Sequence, residues 1–198
     1  MGVCLVKLGV VLAVVVVTLL GIAGCKRGGE TPQPKTGAGV AIQVPTGYQH
    51  DPAFDAAGYY MPAAPIQVGN FKLNTISMGA ESDFAQWEKG ERESLFGPIL
   101  IQFDDMSSPA VTNEMGGQGR EKTLRLLPAG YRLFPGEVSF KSADPALGEV
   151  AFTGAFDQAA LADAKKVTTS GNASVLHGDL QIGALKFPGV TLTYWAGD

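Results

Sequence analysis

The sequence predicts a mainly β protein, an antiparallel sandwich or barrel with one or two short helices. Three observations lead there. Ile99, Ile101 and Phe103 alternate with Leu100, Gln102 and Asp104, the period of two of a strand with one apolar face. Ser174–Ile182 and Leu185–Tyr194 flank Gly183-Ala184, a Gly-X pair that suits a two-residue II′ hairpin turn. Glycine and proline, at 26 and 12 residues, break the rest into many short runs, as all-β architectures require.

Along the chain, residues 1–24 hold one base, Lys7, no acid, and the apolar run Leu8–Leu20. That run falls short of the roughly 20 residues of a membrane-spanning helix, and its basic start and small-residue end describe a secretory signal. Residues 25–47 read as a Cys followed by a flexible tether rich in Gly, Pro, Thr and Lys, with Pro32 and Pro34 favouring extended backbone. Residues 48–198 are expected to form one globular β-rich domain, opening with a transitional stretch over 48–65 whose Tyr59, Tyr60 and Met61 either form an exposed patch or, as expected of scattered aromatics, pack on the core.

Within that domain Phe71 and Leu73 alternate with Lys72 and Asn74, and Ile76 and Met78 continue the strand. Ser82 or Asp83 is placed to cap a helix over Phe84–Lys89, with Phe84 and Trp87 on one face and Gly90 as the stop. Further strands are expected over Lys122–Leu127, Tyr131–Phe134, Glu137–Lys141 and Glu149–Phe156, the last two a hairpin across Ser142–Gly148. Asp157 is placed to cap an Ala-rich helix over Gln158–Lys166. In the C-terminal strand Val190, Leu192 and Tyr194 face one way, and Thr191, Thr193 and Trp195 the other.

Composition excludes several classes. At 45% hydrophobic and 17% charged the chain is too apolar for disorder. A net charge of −4 with no dense Lys/Arg run argues against a nucleic-acid partner. Two cysteines make neither a disulfide scaffold nor a four-Cys zinc site. His50 and His177 have no partner at metal-ligand spacing, and no G-x-S-x-G or H-E-x-x-H is present, so no metal or cofactor is expected. Gly116–Thr123 has a phosphate-loop look but the wrong spacing, and reads as a turn feeding the next strand.

Ile22-Ala23-Gly24-Cys25 directly follows the apolar run, and it resembles the lipobox of bacterial lipoproteins. The resemblance implies cleavage before Cys25, lipid on its sulfur and new amino group, and a membrane partner through that lipid. Lys26, not Asp, follows the Cys, which in a Gram-negative cell implies the outer membrane. Cys4 would leave with the signal, so stability would rest on burial without disulfides.

The stretch Asp104–Glu121 reads as a long loop, and long ordered loops often carry function. Its Asp104, Asp105, Asn113, Glu114 and Glu121 have three readings: local turns on a solvated acidic loop, oxygen ligands for a hard cation, or a general acid/base pair.

Ser77-Met78-Gly79-Ala80, followed by Trp87-Glu88-Lys89-Gly90-Glu91, is similar to a motif of the membrane-bound inhibitors of c-type lysozyme. That resemblance implies a small β-barrel in which Ser77 and Lys89 face the enzyme's catalytic carboxylates. The match departs at Met78, at Glu81 where the family has Tyr, and in lacking a disulfide pair. Three functions follow as expectations. The first is a non-catalytic binding or scaffold module of the envelope, with Ser77, Lys89, Asp104, Asp105, Asn113 and Glu114 as partner-binding candidates. The second is an inhibitor or immunity protein against a lysozyme-like cell-wall hydrolase. The third is a weak hydrolase using the loop carboxylates.

Overall fold

The structure, a computed structural model, describes residue 42 and residues 45–112, 117–166 and 173–197. Cys25, Asn113 and Glu114 lie outside the described residues.

The elements run β1 (Tyr48–His50), β2 (Gly58–Pro62), β3 (Gln67–Val68), β4 (Phe71–Met78), α1 (Glu81–Glu88), β5 (Ile99–Asp105), β6 (Ala110–Thr112), β7 (Gln118–Arg120), β8 (Thr123–Leu126), β9 (Gly130–Phe134), β10 (Glu137–Asp144), β11 (Gly148–Phe156), α2 (Gln158–Ala164), β12 (Ser174–Ile182) and β13 (Leu185–Trp195). The protein is mainly β, as the alternation predicts. One curled sheet of 11 strands, a half-barrel, is ordered β1-β9-β10-β11-β12-β13-β2-β4-β5-β8, with β3 beside β4. All its pairs are antiparallel except β1 with β9.

The inward alternation fills one core. Ile99, Ile101 and Phe103 of β5 are buried, as are Val190, Leu192 and Tyr194 of β13. Tyr60, Phe84, Tyr131, Phe140, Phe152 and Phe187 are also among its largest side chains. The β12–β13 turn places Gly183 at φ +57° with no positive φ at Ala184, as a II′ turn needs. Gly154 and Gly178 face each other across β11 and β12, where a Cβ on Gly178 would lie 2.2 Å from the Thr153 carbonyl oxygen. A side chain there would push the strands apart.

The two ends of the sheet order are close in space. β8 and β9 are joined by only Leu127–Ala129. The Ser142 hydroxyl donates to the Leu127 carbonyl (2.6 Å), and Ala129 N–H donates to the Lys141 carbonyl (2.8 Å). Helix α1 leaves β4 yet packs on the far end of the order. Phe84 stacks on His50 (5.3 Å between rings) and meets Tyr131 edge-on at 5.3 Å, while Trp87 meets Tyr48 at 6.3 Å.

Three details differ from the sequence expectations. The first helix begins at Glu81, ahead of Phe84, because Asp83 serves from inside the first turn, accepting from Ala80 N–H at 2.8 Å. Its end is as expected: Gly90 at φ +91° closes a Schellman motif in which Gly90 N–H donates to the Trp87 carbonyl and Glu91 N–H to that of Gln86. The stretch 48–65 holds two strands; Tyr60 is fully buried there, while Tyr59 stays 39% exposed. The 104–121 stretch carries the paired strands β6 and β7, whose exposed Val111 gives no core-facing alternation to read. The second helix matches, with Asp157 accepting from Ala160 N–H at 3.0 Å and Leu161 buried.

Glu88 ties α1 to the sheet. Its Oε1 accepts from His50 Nδ1 (2.9 Å) and from the Tyr131 hydroxyl (3.1 Å). Glu88→Ala strands both donors and is expected to destabilise the fold by about 1–3 kcal/mol in urea unfolding. Lys89→Ala, on an exposed neighbour, is expected to stay within about 0.5 kcal/mol.

Candidate functional site

Outward residues on β2, β4, β5 and β8 fall into two rows set by strand register. Tyr59 pairs with Ser77, and Ser77 with Leu100. Thr75 pairs with Gln102, and Gln102 with Arg125. An irregularity between Leu73 and Thr75 re-aims β4, so that Thr75 and Ser77 face out while Ile76 and Met78 are buried.

These rows floor a groove of about 720 Å³, within the usual size of small-ligand sites. One wall is Phe96-Gly97, from the segment between α1 and β5. Gly97 has no room to move inward, since a Cβ would lie 3.0 Å from both Trp87 and Leu127. Phe96 is left 62% exposed. The other wall carries Asp55, Ala57, Tyr194, Ala196 and Lys165. Lys165 Nζ pairs with Asp55 Oδ2 at 2.6 Å and donates to the Asp55 carbonyl at 2.8 Å. Tyr59 leans on Trp195, with ring centroids 5.2 Å apart.

The polar groups of the groove differ in what they still offer. Thr75 and Ser77 donate only over 3.4 and 3.5 Å, to the Tyr60 and Leu100 carbonyls. Arg125 is exposed, and its guanidinium has no hydrogen bond or ion pair among the described residues. Burial opposes ionisation of Asp55, but the Lys165 ammonium and the Ala57 N–H outweigh it and hold the carboxyl below its ordinary pKa. Burial, then the nearby Asp55 charge, pushes the Tyr194 phenol up.

The sequence-predicted residues do not meet in one place. Ser77 lies in the groove floor. Lys89 is the exposed C-cap of α1 and is not among the groove-lining residues. Asp104 and Asp105 end β5 at the edge of the fold and act locally. Asp104 Oδ2 accepts from Asn74 Nδ2 (2.8 Å). Asp105 Oδ1 accepts from the Ser107 N–H (2.9 Å) and hydroxyl (2.5 Å). The Ser107 contacts draw the Asp105 pKa down, as in a local Asx turn. No three His, Cys, Asp or Glu side chains gather to hold a metal among the described residues. Of the two histidines, His50 is bound to Glu88 and His177 Nδ1 lies 3.2 Å from the Thr191 hydroxyl.

The sequence reading missed Asp55, Thr75, Gln102, Arg125 and Lys165. Alternation marks Gln102 and Arg125 as outward, but Thr75 faces out only through the β4 irregularity, and only the register brings outward residues of different strands side by side.

The Asp55–Lys165 pair has a pH signature. A depressed carboxyl pKa contributes stability above its unfolded value near 3.8 and loses it as pH falls through the lower folded value. Asp55→Asn is therefore expected to flatten the stability curve below about pH 4 and leave its shape above pH 5 unchanged, as measured by urea midpoints across pH. Compared with known proteins, the chain matches no family model, no curated protein and no solved structure.

Proposed function

We propose that the protein is a lipid-anchored lipoprotein of the bacterial cell envelope whose β domain is a non-catalytic binding or scaffold module. The anchor reading rests on Ile22-Ala23-Gly24-Cys25 after a short apolar run. The binding reading rests on the groove across β2, β4, β5 and β8, where Arg125, without a partner among the described residues, two exposed aromatics and the polar side chains of Thr75, Ser77 and Gln102 converge. Convergent polar groups in a partly apolar concavity are the usual make-up of a recognition site. Pro45 is buried and the Gly47 carbonyl accepts from Tyr131 N–H, so a tether would end before Pro45; about 19 residues after Cys25 would span roughly 25 Å if flexible, enough to hold the domain clear of lipid headgroups.

Cys25→Ala is expected to abolish lipid labelling and to accumulate the unprocessed precursor; normal maturation of that variant would refute the anchor. A photocrosslinking side chain at Gln102 reports whether the groove is occupied in intact envelopes. Absence of any crosslinked product there would refute the groove as the recognition surface.

A second reading, inhibition of a lysozyme-like wall hydrolase, is favoured by one observation: Ser77, one of the two residues implied by the inhibitor motif, lines the groove. On that reading Lys89→Ala lowers inhibition of a c-type lysozyme by tenfold or more. Failure of the unaltered protein to inhibit any c-type lysozyme tested removes it.

A further inference from the structure

We propose that the groove recognises an acidic saccharide, with a carboxylate held by Arg125 and sugar rings laid against Tyr59 and Phe96. The inference rests on the groove being the recognition surface and adds what that surface recognises.

Charge is the first argument. Two cations line the groove, and Lys165 is already committed to Asp55. The uncompensated charge is therefore Arg125, which makes no hydrogen bond or ion pair among the described residues. A guanidinium is a planar fork of donors that fits a carboxylate with two parallel hydrogen bonds. Asp55, the one carboxylate among the described groove-lining residues, is occupied by Lys165 and leaves that anion position open.

The second argument is the chemistry beside Arg125. Gln102 and Thr75 stand in its own row and Ser77 in the next. Hydroxyls and a carboxamide both donate and accept, which matches ligand hydroxyl groups with the same dual capacity. Tyr59, 39% exposed, and Phe96, 62% exposed, supply apolar ring faces. The negative face of an aromatic ring attracts the weakly positive C–H face of a sugar. Tyr59 is held by Trp195, so little of its freedom is lost on binding.

The third argument separates a saccharide from a peptide. The floor strands are paired to one another through their main chains, β2 with β4, β4 with β5 and β5 with β8. A peptide laid across this face would find the main-chain groups of β2, β4 and β5 already spent, with strand addition open only along the outer edge of β8 rather than across the rows. Side chains must do the recognising, and the floor presents them in rows. From β2 to β8 the floor spans about 14 Å at the usual strand spacing, room for about two or three linked sugar rings.

The test is calorimetric titration of the full-length, detergent-solubilised protein with trigalacturonic acid, alongside maltotriose as the neutral trisaccharide and triaspartate as the acidic peptide. One-to-one binding of trigalacturonic acid is expected, at least tenfold tighter than either control. Arg125→Gln and Tyr59→Ala are each expected to weaken it at least tenfold. Both side chains are exposed, and unchanged urea midpoints would separate lost recognition from lost folding. No binding of trigalacturonic acid, equal binding of maltotriose, tighter binding of triaspartate, or full affinity in both variants would each overturn the proposal. Crosslinking of an envelope protein at Gln102, with no binding of the acidic trisaccharide, would overturn the ligand class while leaving the groove as a recognition surface.

Discussion

The docking of α1 is the constraint on which the rest of the structure depends. The helix follows β4 in sequence but packs under β1 and β9, at the opposite end of the strand order. Phe84 and Trp87 provide the apolar contact and Glu88 the polar one. A helix reaching between the two ends of a sheet holds it curled. The same contact sets one wall of the groove, because Gly97 rests against Trp87 and so fixes where Phe96 emerges. Core packing and the shape of the groove are two sides of one helix placement.

That placement carries a cost. His50 Nε2 and Trp87 Nε1 are buried without a hydrogen-bond partner among the described residues. An unsatisfied buried polar atom costs about 1–3 kcal/mol. Arg92 adds contacts on this side of the helix but satisfies neither nitrogen. Its guanidinium lies 4.4 Å from the centre of the Tyr48 ring, and its Nε donates to the Trp87 carbonyl at 3.2 Å. The helix is thus held by aromatic burial and by Glu88, with little reserve from the other polar groups around it.

Much of the fold was legible in the sequence, since alternation is a local signal. The inward faces of β5 and β13, the Gly183 turn and the Asp157 cap could all be read from neighbouring residues. Two kinds of feature were not. The β6–β7 pair buries no apolar face, so its residues carry no periodic signature. The groove is a product of register. Tyr59, Ser77 and Leu100 are far apart in the chain, and the β4 irregularity between Leu73 and Thr75 decides which residues share a row. His50 was equally opaque, because its partner Glu88 lies 38 residues away on a helix that crosses to another part of the sheet. Ser77 was reached through a motif resemblance, whereas Arg125 had no motif to mark it.

The position of β2 also governs when the molecule is complete. β2 is flanked by β4 and by β13, the last strand of the chain. An early strand therefore waits for β13, more than a hundred residues on, before one of its edges is covered, and β1 likewise waits for β9. Pairings this distant in sequence close slowly. Until β13 is in place, the edge of β2 that it covers stays open, and an open strand edge is where wrong pairing starts.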